Sequence, residues 1–205
     1  MGKHAHSLDQ KILARMKATR TATIYAATDF LDLGGRNAVD QVLSRNCRRG
    51  VIRKVARGLY DLPRRDAVLG PLAPRPEAVA QALARRAAAR LQVAGGAAAH
   101  ALGLTDQVPV RVVYLTDGRS CQVRVGRSRI ILRRASSRQM ATAGRVSGTV
   151  IQALRWLGQR QVDAATVARL RRRLSPAHRR QLVKDLRYAP TWVAAIIRDL
   201  TRSDG

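Results

Sequence analysis

The 205-residue chain is short of acids, aromatics and cysteine. Thirteen acids stand against 39 Lys and Arg, giving a formal charge of +26, and Glu77 is the sole glutamate. Aromatics are 3% of residues, which argues against binding single strands by base stacking, since that needs exposed aromatic platforms. Two cysteines far apart, Cys47 and Cys121, do not make a disulfide framework, and a cytoplasmic chain is expected. No apolar run approaches the roughly 18 residues needed to cross a bilayer, so no membrane partner is expected. The polar start, Met1 to Gln10, lacks the apolar stretch of a signal peptide, and His6 stands where a myristoylation pattern needs Ser or Thr. Walker and Rossmann glycine spacings and C-x-x-C are absent, and His4, His6, His100 and His178 show no metal spacing. Too few acids converge for a metal-dependent nuclease. The expectation is a non-enzyme without cofactor or metal.

What is present is a core-forming composition, 46% hydrophobic, carrying a large positive excess. Such a protein expects an anionic partner, most often nucleic acid. The excess is uneven. Residues 1–63 hold 12 Lys and Arg against 5 acids, and residues 64–205 hold 27 against 8.

Four of the seven prolines (Pro63, Pro71, Pro74, Pro76) fall within 63–76, a stretch that reads as a linker. This divides the chain into an N-terminal domain 1–63, a linker 64–76 and a C-terminal domain 77–205. In the first, Ser7 with Gln10 fits a capping box before a helix near 8–18. Thr21 to Tyr25 reads as a short strand, and Thr28 as the cap of a brief helix through Leu31. Leu33-Gly34-Gly35 reads as a turn using positive φ. Over Arg36–Arg49, Val39, Val42, Leu43 and Cys47 recur at helical spacing and face inward. Asn46 reads as an edge residue or as a partner of the hairpin backbone. Gly50 ends this helix, and the apolar runs around Ala56-Arg57-Gly58 read as a β-hairpin. Helix, strand, helix, turn, helix, hairpin is the order of a winged helix-turn-helix.

The C-terminal part reads as α+β. A helix near 77–91 and a short one at Ala97–Leu102 come first. Strands at 111–116, 121–125 and 130–132 follow as a small antiparallel meander. Helices then run to the end, with Pro176 opening one that reaches Tyr188 and Pro190 breaking it. Trp156 and Trp192 read as core, and the arginine runs at 85–86, 133–134, 171–173 and 179–180 as solvated faces or a second anion-facing surface.

The polar face of the 36–49 helix carries the functional reading. Asn37, Gln41, Ser44, Arg45 and Arg48 share one broad face, with Arg36 and Arg49 at its ends. A helix fits the major groove, where Arg matches guanine and Asn or Gln matches adenine. Arg53, Lys54 and Arg57 on the hairpin suit phosphate or minor-groove contacts, which position without specifying. A structured-RNA or ribosome-associated protein suits the same charge.

Three segments resemble bacterial AbiEi-type antitoxins and transcriptional regulators. They are Arg48–Pro63, Ala98–Thr105 with Gln107-Val108-Pro109, and Val113–Gly118. The resemblance implies an N-terminal winged helix that binds repeats in its own promoter. It also implies a C-terminal domain that neutralises a nucleotidyltransferase-like toxin in a type IV toxin–antitoxin system. Oligomeric state and operator stay open.

Overall fold

A computed structural model describes residues 7–19, 23–68 and 70–202. The architecture is mixed α and β. Among the described residues there are nine α-helices and three small sheets, grouped in two compact units. One unit is Met1–Arg86 with Val123–Arg127, and the other is Ala87–Gln122 with Ser128–Gly205.

In the first unit, α1 (Leu8–Ala18) starts at a reciprocal capping box. The Ser7 hydroxyl accepts from the Gln10 amide, and the Gln10 side chain accepts from the Ser7 amide at 3.0 Å. Strand β1 (Tyr25–Ala26) begins at the last residue of the expected strand, whose Thr21 and Ala22 lie outside the described residues. The brief helix is a 3-10 turn, Ala27–Phe30, and its cap differs from expectation. Thr28 lies inside the turn, while Asp29 closes it by accepting from the Ala26 amide at 2.8 Å. The turn at Gly34-Gly35 uses no positive φ. A Cβ on Gly34 would sit 3.1 Å from the Leu8 side chain, a tight contact to which Leu8 would have to yield.

Helix α2 (Arg36–Arg48) buries Val39, Val42, Leu43 and Asn46, against Ile12, Met16, Phe30 and Ile52. Gly50 leaves it at φ +69°, and Gly58 turns the hairpin of β2 (Arg53–Ala56) and β3 (Leu59–Asp61) at φ +70°. Both are left-handed positions where a side chain would be strained. The sheet order is β1-β3-β2, antiparallel throughout.

The proline-rich stretch holds a small two-stranded ribbon, β4 (Arg65–Asp66) with β5 (Gly70–Pro71). The following helix, α3 (Pro76–Arg86), belongs to the first unit, where the composition alone suggested the second. Its arginines show why: Arg85 donates to the Ile24 carbonyl and Arg86 to the Arg57 carbonyl, each at 2.8 Å. The helix also ends earlier than its alanine-rich sequence suggests, since Ala88 takes φ +47°. Leu91 therefore lies in a strand, β6 (Leu91–Ala94).

After β6 come α4 (Gly95–Ala101), β7 (Arg111–Thr116), β8 (Cys121–Val125) and β9 (Ser128–Arg134). The expected meander is not what forms. The order is β6-β7-β9-β8, and β9 lies parallel to β7, pairing Arg111 with Arg129 through Thr116 with Arg134. A tight turn at Gly126-Arg127 folds β9 back on β8, so β9 inserts between β7 and β8. Parallel pairing requires such a crossover, and here β8 itself supplies it.

The remaining helices are α5 (Ser137–Met140), α6 (Val146–Leu157), α7 (Ala164–Arg173), α8 (Pro176–Lys184) and α9 (Thr191–Thr201). Pro176 opens α8 as expected, but α8 stops at Lys184 and a separate 3-10 turn covers Leu186–Tyr188. Leu154, Leu170, Leu182, Val193 and Ile197 are fully or almost fully buried in one core with Ala98 and Ala99 of α4. Asp185 is buried beside this core and accepts from Arg145 at 2.6 Å, from Gln181 at 2.9 Å and from the Ser147 hydroxyl. A carboxylate so enclosed is tolerable because each oxygen is hydrogen-bonded.

Candidate nucleic-acid interface

The residues proposed from sequence for nucleic-acid contact lie on α2, its C-terminal end and the β2–β3 hairpin. Burial of Val39, Val42 and Leu43 fixes the rotation of α2 and turns the opposite side to solvent. Asn37, Gln41, Ser44 and Arg48 are all exposed there. Their spacing, i, i+4, i+7 and i+11, places them in one narrow stripe along the helix.

The cations around this stripe divide by partner. Arg48 and Arg49 are exposed at the helix end, and Lys54 and Arg57 are exposed on the hairpin, with no acid among the described residues paired to any of the four. Arg36 pairs with Asp40 at 2.8 Å, and Arg45 lies 3.7 Å from Asp9. Both arginines face solvent, and such pairs hold little energy and exchange readily for another anion.

Arg53 is differently placed. Its Nε and Nη2 donate to the two oxygens of Asp61 at 3.0 and 2.6 Å, and its Nη1 donates to the Leu72 carbonyl at 3.0 Å. Its donors are committed within the unit.

Asn46 is also a fold residue. It is buried, not at an edge, and its bonds run to α1 rather than to the hairpin. Nδ2 donates to Asp9 at 2.7 Å and to the Val42 carbonyl at 3.0 Å. The hairpin approaches its backbone instead, with the Val51 amide donating to the Asn46 carbonyl at 3.0 Å. Burial pushes the Cys47 thiol up, and its side chain packs against the core of this unit.

In the second unit several arginines, Arg171 of the 171–173 run among them, hold carbonyls. Arg171 donates to Asp199, Arg138 to Arg187, and Arg169 to Gly103. Arg173 packs over Gly103, where a Cβ would lie 2.6 Å from its guanidinium. These arginines clamp helix and loop ends, a use that charge counting does not reveal. His100 is exposed with Nδ1 3.2 Å from the Thr105 carbonyl. His4 and His6 lie outside the described residues. Among the described residues no three His, Cys, Asp or Glu gather as metal ligands, and no helix is long and apolar enough to cross a membrane.

Trp156 departs most from expectation. It is 47% exposed, whereas Trp192 is partly buried against the main core. The inward stripe of α6 runs through Val146, Val150, Ala153 and Leu157, and the helical repeat puts position 156 on its flank. That offset was the available signal. Trp156 lies over Gly95 and Gly96, and a Cβ on Gly96 would be 3.3 Å from the indole.

No curated protein and no solved structure matches the chain. Residues 11–182, well over half of the chain, match one family, described as a family of unknown function. The chain belongs to that family, DUF6088.

Proposed function

We propose that the first unit is a winged helix-turn-helix that binds double-stranded DNA in a sequence-specific manner, and that the protein is a transcriptional regulator. The observation that carries this reading is the exposed stripe Asn37, Gln41, Ser44 and Arg48 on α2, flanked by the exposed cations Arg49, Lys54 and Arg57. A helix of this width enters the major groove, and these residue types read base edges. The β2–β3 hairpin acts as the wing, with Lys54 and Arg57 on phosphates. Arg53 supports the wing through Asp61, and Arg36 and Arg45 exchange their surface carboxylates for phosphate. No step of this function needs a cofactor or a reaction.

The AbiEi-like segments extend the proposal to autorepression at promoter repeats and, for the second unit, to neutralisation of a nucleotidyltransferase-like toxin. The toxin role rests on that resemblance alone.

The test is selection of bound duplexes from a random pool by the full chain, followed by footprinting in moderate salt. The expected result is a defined site, with log affinity falling with log salt by about 0.9 per phosphate neutralised. Replacing Asn37, Gln41 and Ser44 by Ala relaxes base preference, whereas Lys54→Ala weakens all sequences alike. A preference for folded RNA over every selected duplex, or a footprint unmoved by the triple replacement, overturns the reading.

A further inference from the structure

The second unit contains a cavity of about 330 Å³ that the DNA-binding proposal does not use. It opens between the end of β6, β7, β9 and α6. Its lining includes Trp156, Gln152, Arg155 and Arg133, and no acid. Each has an unspent capacity. Arg133 and Arg155 are exposed and have no partner among the described residues. Gln152 is only 9% exposed, yet nothing among the described residues hydrogen-bonds its amide. Trp156 is a half-open indole in a chain that is 3% aromatic, resting on Gly96 where a side chain would crowd it.

We propose that this cavity binds a nucleoside monophosphate unit. The base stacks on Trp156, since an indole offers a flat apolar face to any base. The Gln152 amide presents one donor side and one acceptor, the complement of a base edge. Arg133 and Arg155 take the phosphate, whose two negative charges match two guanidinium groups where a carboxylate would need one. The volume lies at the small end of ligand sites, which run from about 300 to 1,000 Å³, and suits a single nucleotide unit. The unit has two sources, a free nucleotide or the phosphorylated end of a nucleic-acid strand.

The test uses the full chain carrying Trp192→Phe, so that Trp156 is the sole tryptophan. The four ribonucleoside 5′-monophosphates are titrated at moderate salt, and indole fluorescence is followed. The expected result is saturable quenching by at least one of them. The matching nucleoside and inorganic phosphate each bind at least tenfold more weakly. Arg133→Gln with Arg155→Gln weakens binding about tenfold or more. Arg172→Gln with Arg180→Gln, an equal loss of exposed charge on α7 and α8, neither of which lines the cavity, leaves it unchanged. Gln152→Ala alters the ranking of the four bases. A 5′-phosphorylated trinucleotide that binds more tightly than the mononucleotide identifies a strand end as the source, and equal or weaker binding identifies the free nucleotide. Absence of saturable quenching by all four overturns the proposal. So does an equal loss of affinity in the two arginine pairs, which would mean that only net charge attracts the anion. Circular dichroism of each variant ensures that a lost signal is not a lost fold. These outcomes do not depend on whether α2 reads duplex DNA.

Discussion

Arg53 holds Asp61 across the β2–β3 hairpin in a two-point ion pair, 2.6 Å from Nη2 to Oδ2 and 3.0 Å from Nε to Oδ1. The Asp61 side chain is 8% exposed and that of Arg53 is 30% exposed, so the pair is largely withdrawn from water. Removing the arginine strands a buried carboxylate, which costs far more than loss of a surface charge. Arg53→Ala is expected to lower stability by about 2–3 kcal/mol. Lys54→Ala, one residue along and exposed, is expected to stay within about 0.5 kcal/mol. Urea unfolding of the two variants distinguishes a support of the hairpin from a free surface cation. Equal stabilities would refute the assignment.

Asn46 makes the equivalent distinction on α2. Its amide bridges α1 and α2 through Asp9 and the Val42 carbonyl, while its Oδ1 is buried without a partner among the described residues. Asn46→Ala is expected to cost about 1–2 kcal/mol, and Asn46→Asp more, because it sets a second carboxylate against Asp9. Neither is expected to change base preference in a duplex that the variant still binds. A specificity change with unaltered Tm would place Asn46 at the nucleic acid instead.

Gly148 sits inside α6, where replacing Gly by Ala ordinarily stabilises a helix by about 1 kcal/mol. Here a Cβ would lie 2.1 Å from Gln92 Oε1 and 2.6 Å from the Thr142 carbonyl oxygen. The amide of Gln92 can move, but the backbone carbonyl cannot easily do so. Steric cost therefore exceeds helix propensity, and Gly148→Ala is expected to destabilise by about 1–3 kcal/mol. A rise in Tm would show that β6 and α6 can separate without penalty.

Asp117 accepts from the Arg90 side chain and from the Arg90 amide, each at 2.7 Å, and these bonds hold its carboxyl below the usual range. A depressed carboxylate pKa means that the unfolded chain takes up the proton first. Its stabilising contribution is complete above about pH 4 and is lost as pH falls through the depressed value. Asp117→Asn is expected to lower stability at neutral pH and to flatten the acid limb below about pH 4 relative to wild type. Parallel acid limbs in the two proteins would contradict this. The same geometry makes Asp117 a tether for the turn after β7 rather than a free acid.

Local sequence spoke clearly where neighbours in the chain determine the structure. The Ser7–Gln10 cap, the helix it opens, the inward face of α2 and the Gly50 and Gly58 turns are short-range features, and each was legible. β6 was hidden because the alanine-rich run before it continues a helical pattern until Ala88 leaves it. The parallel pairing of β7 and β9 was hidden for a different reason. Alternation in a strand says which face is buried, not which neighbour it takes.

The composition determined the large positive excess, and helical periodicity oriented the stripe on α2. Only tertiary structure decided which cations are spent inside the protein. Arg85 reaches a carbonyl 61 residues away and Arg86 one 29 away, while Arg53 is engaged by Asp61 and Leu72. Lys54, Arg57 and Arg48 have no such carboxylate partner among the described residues. Charge is a property of each residue alone, and can be counted in sequence. Its availability depends on which donors and acceptors folding brings within about 3 Å, and that distance exists only in the folded chain.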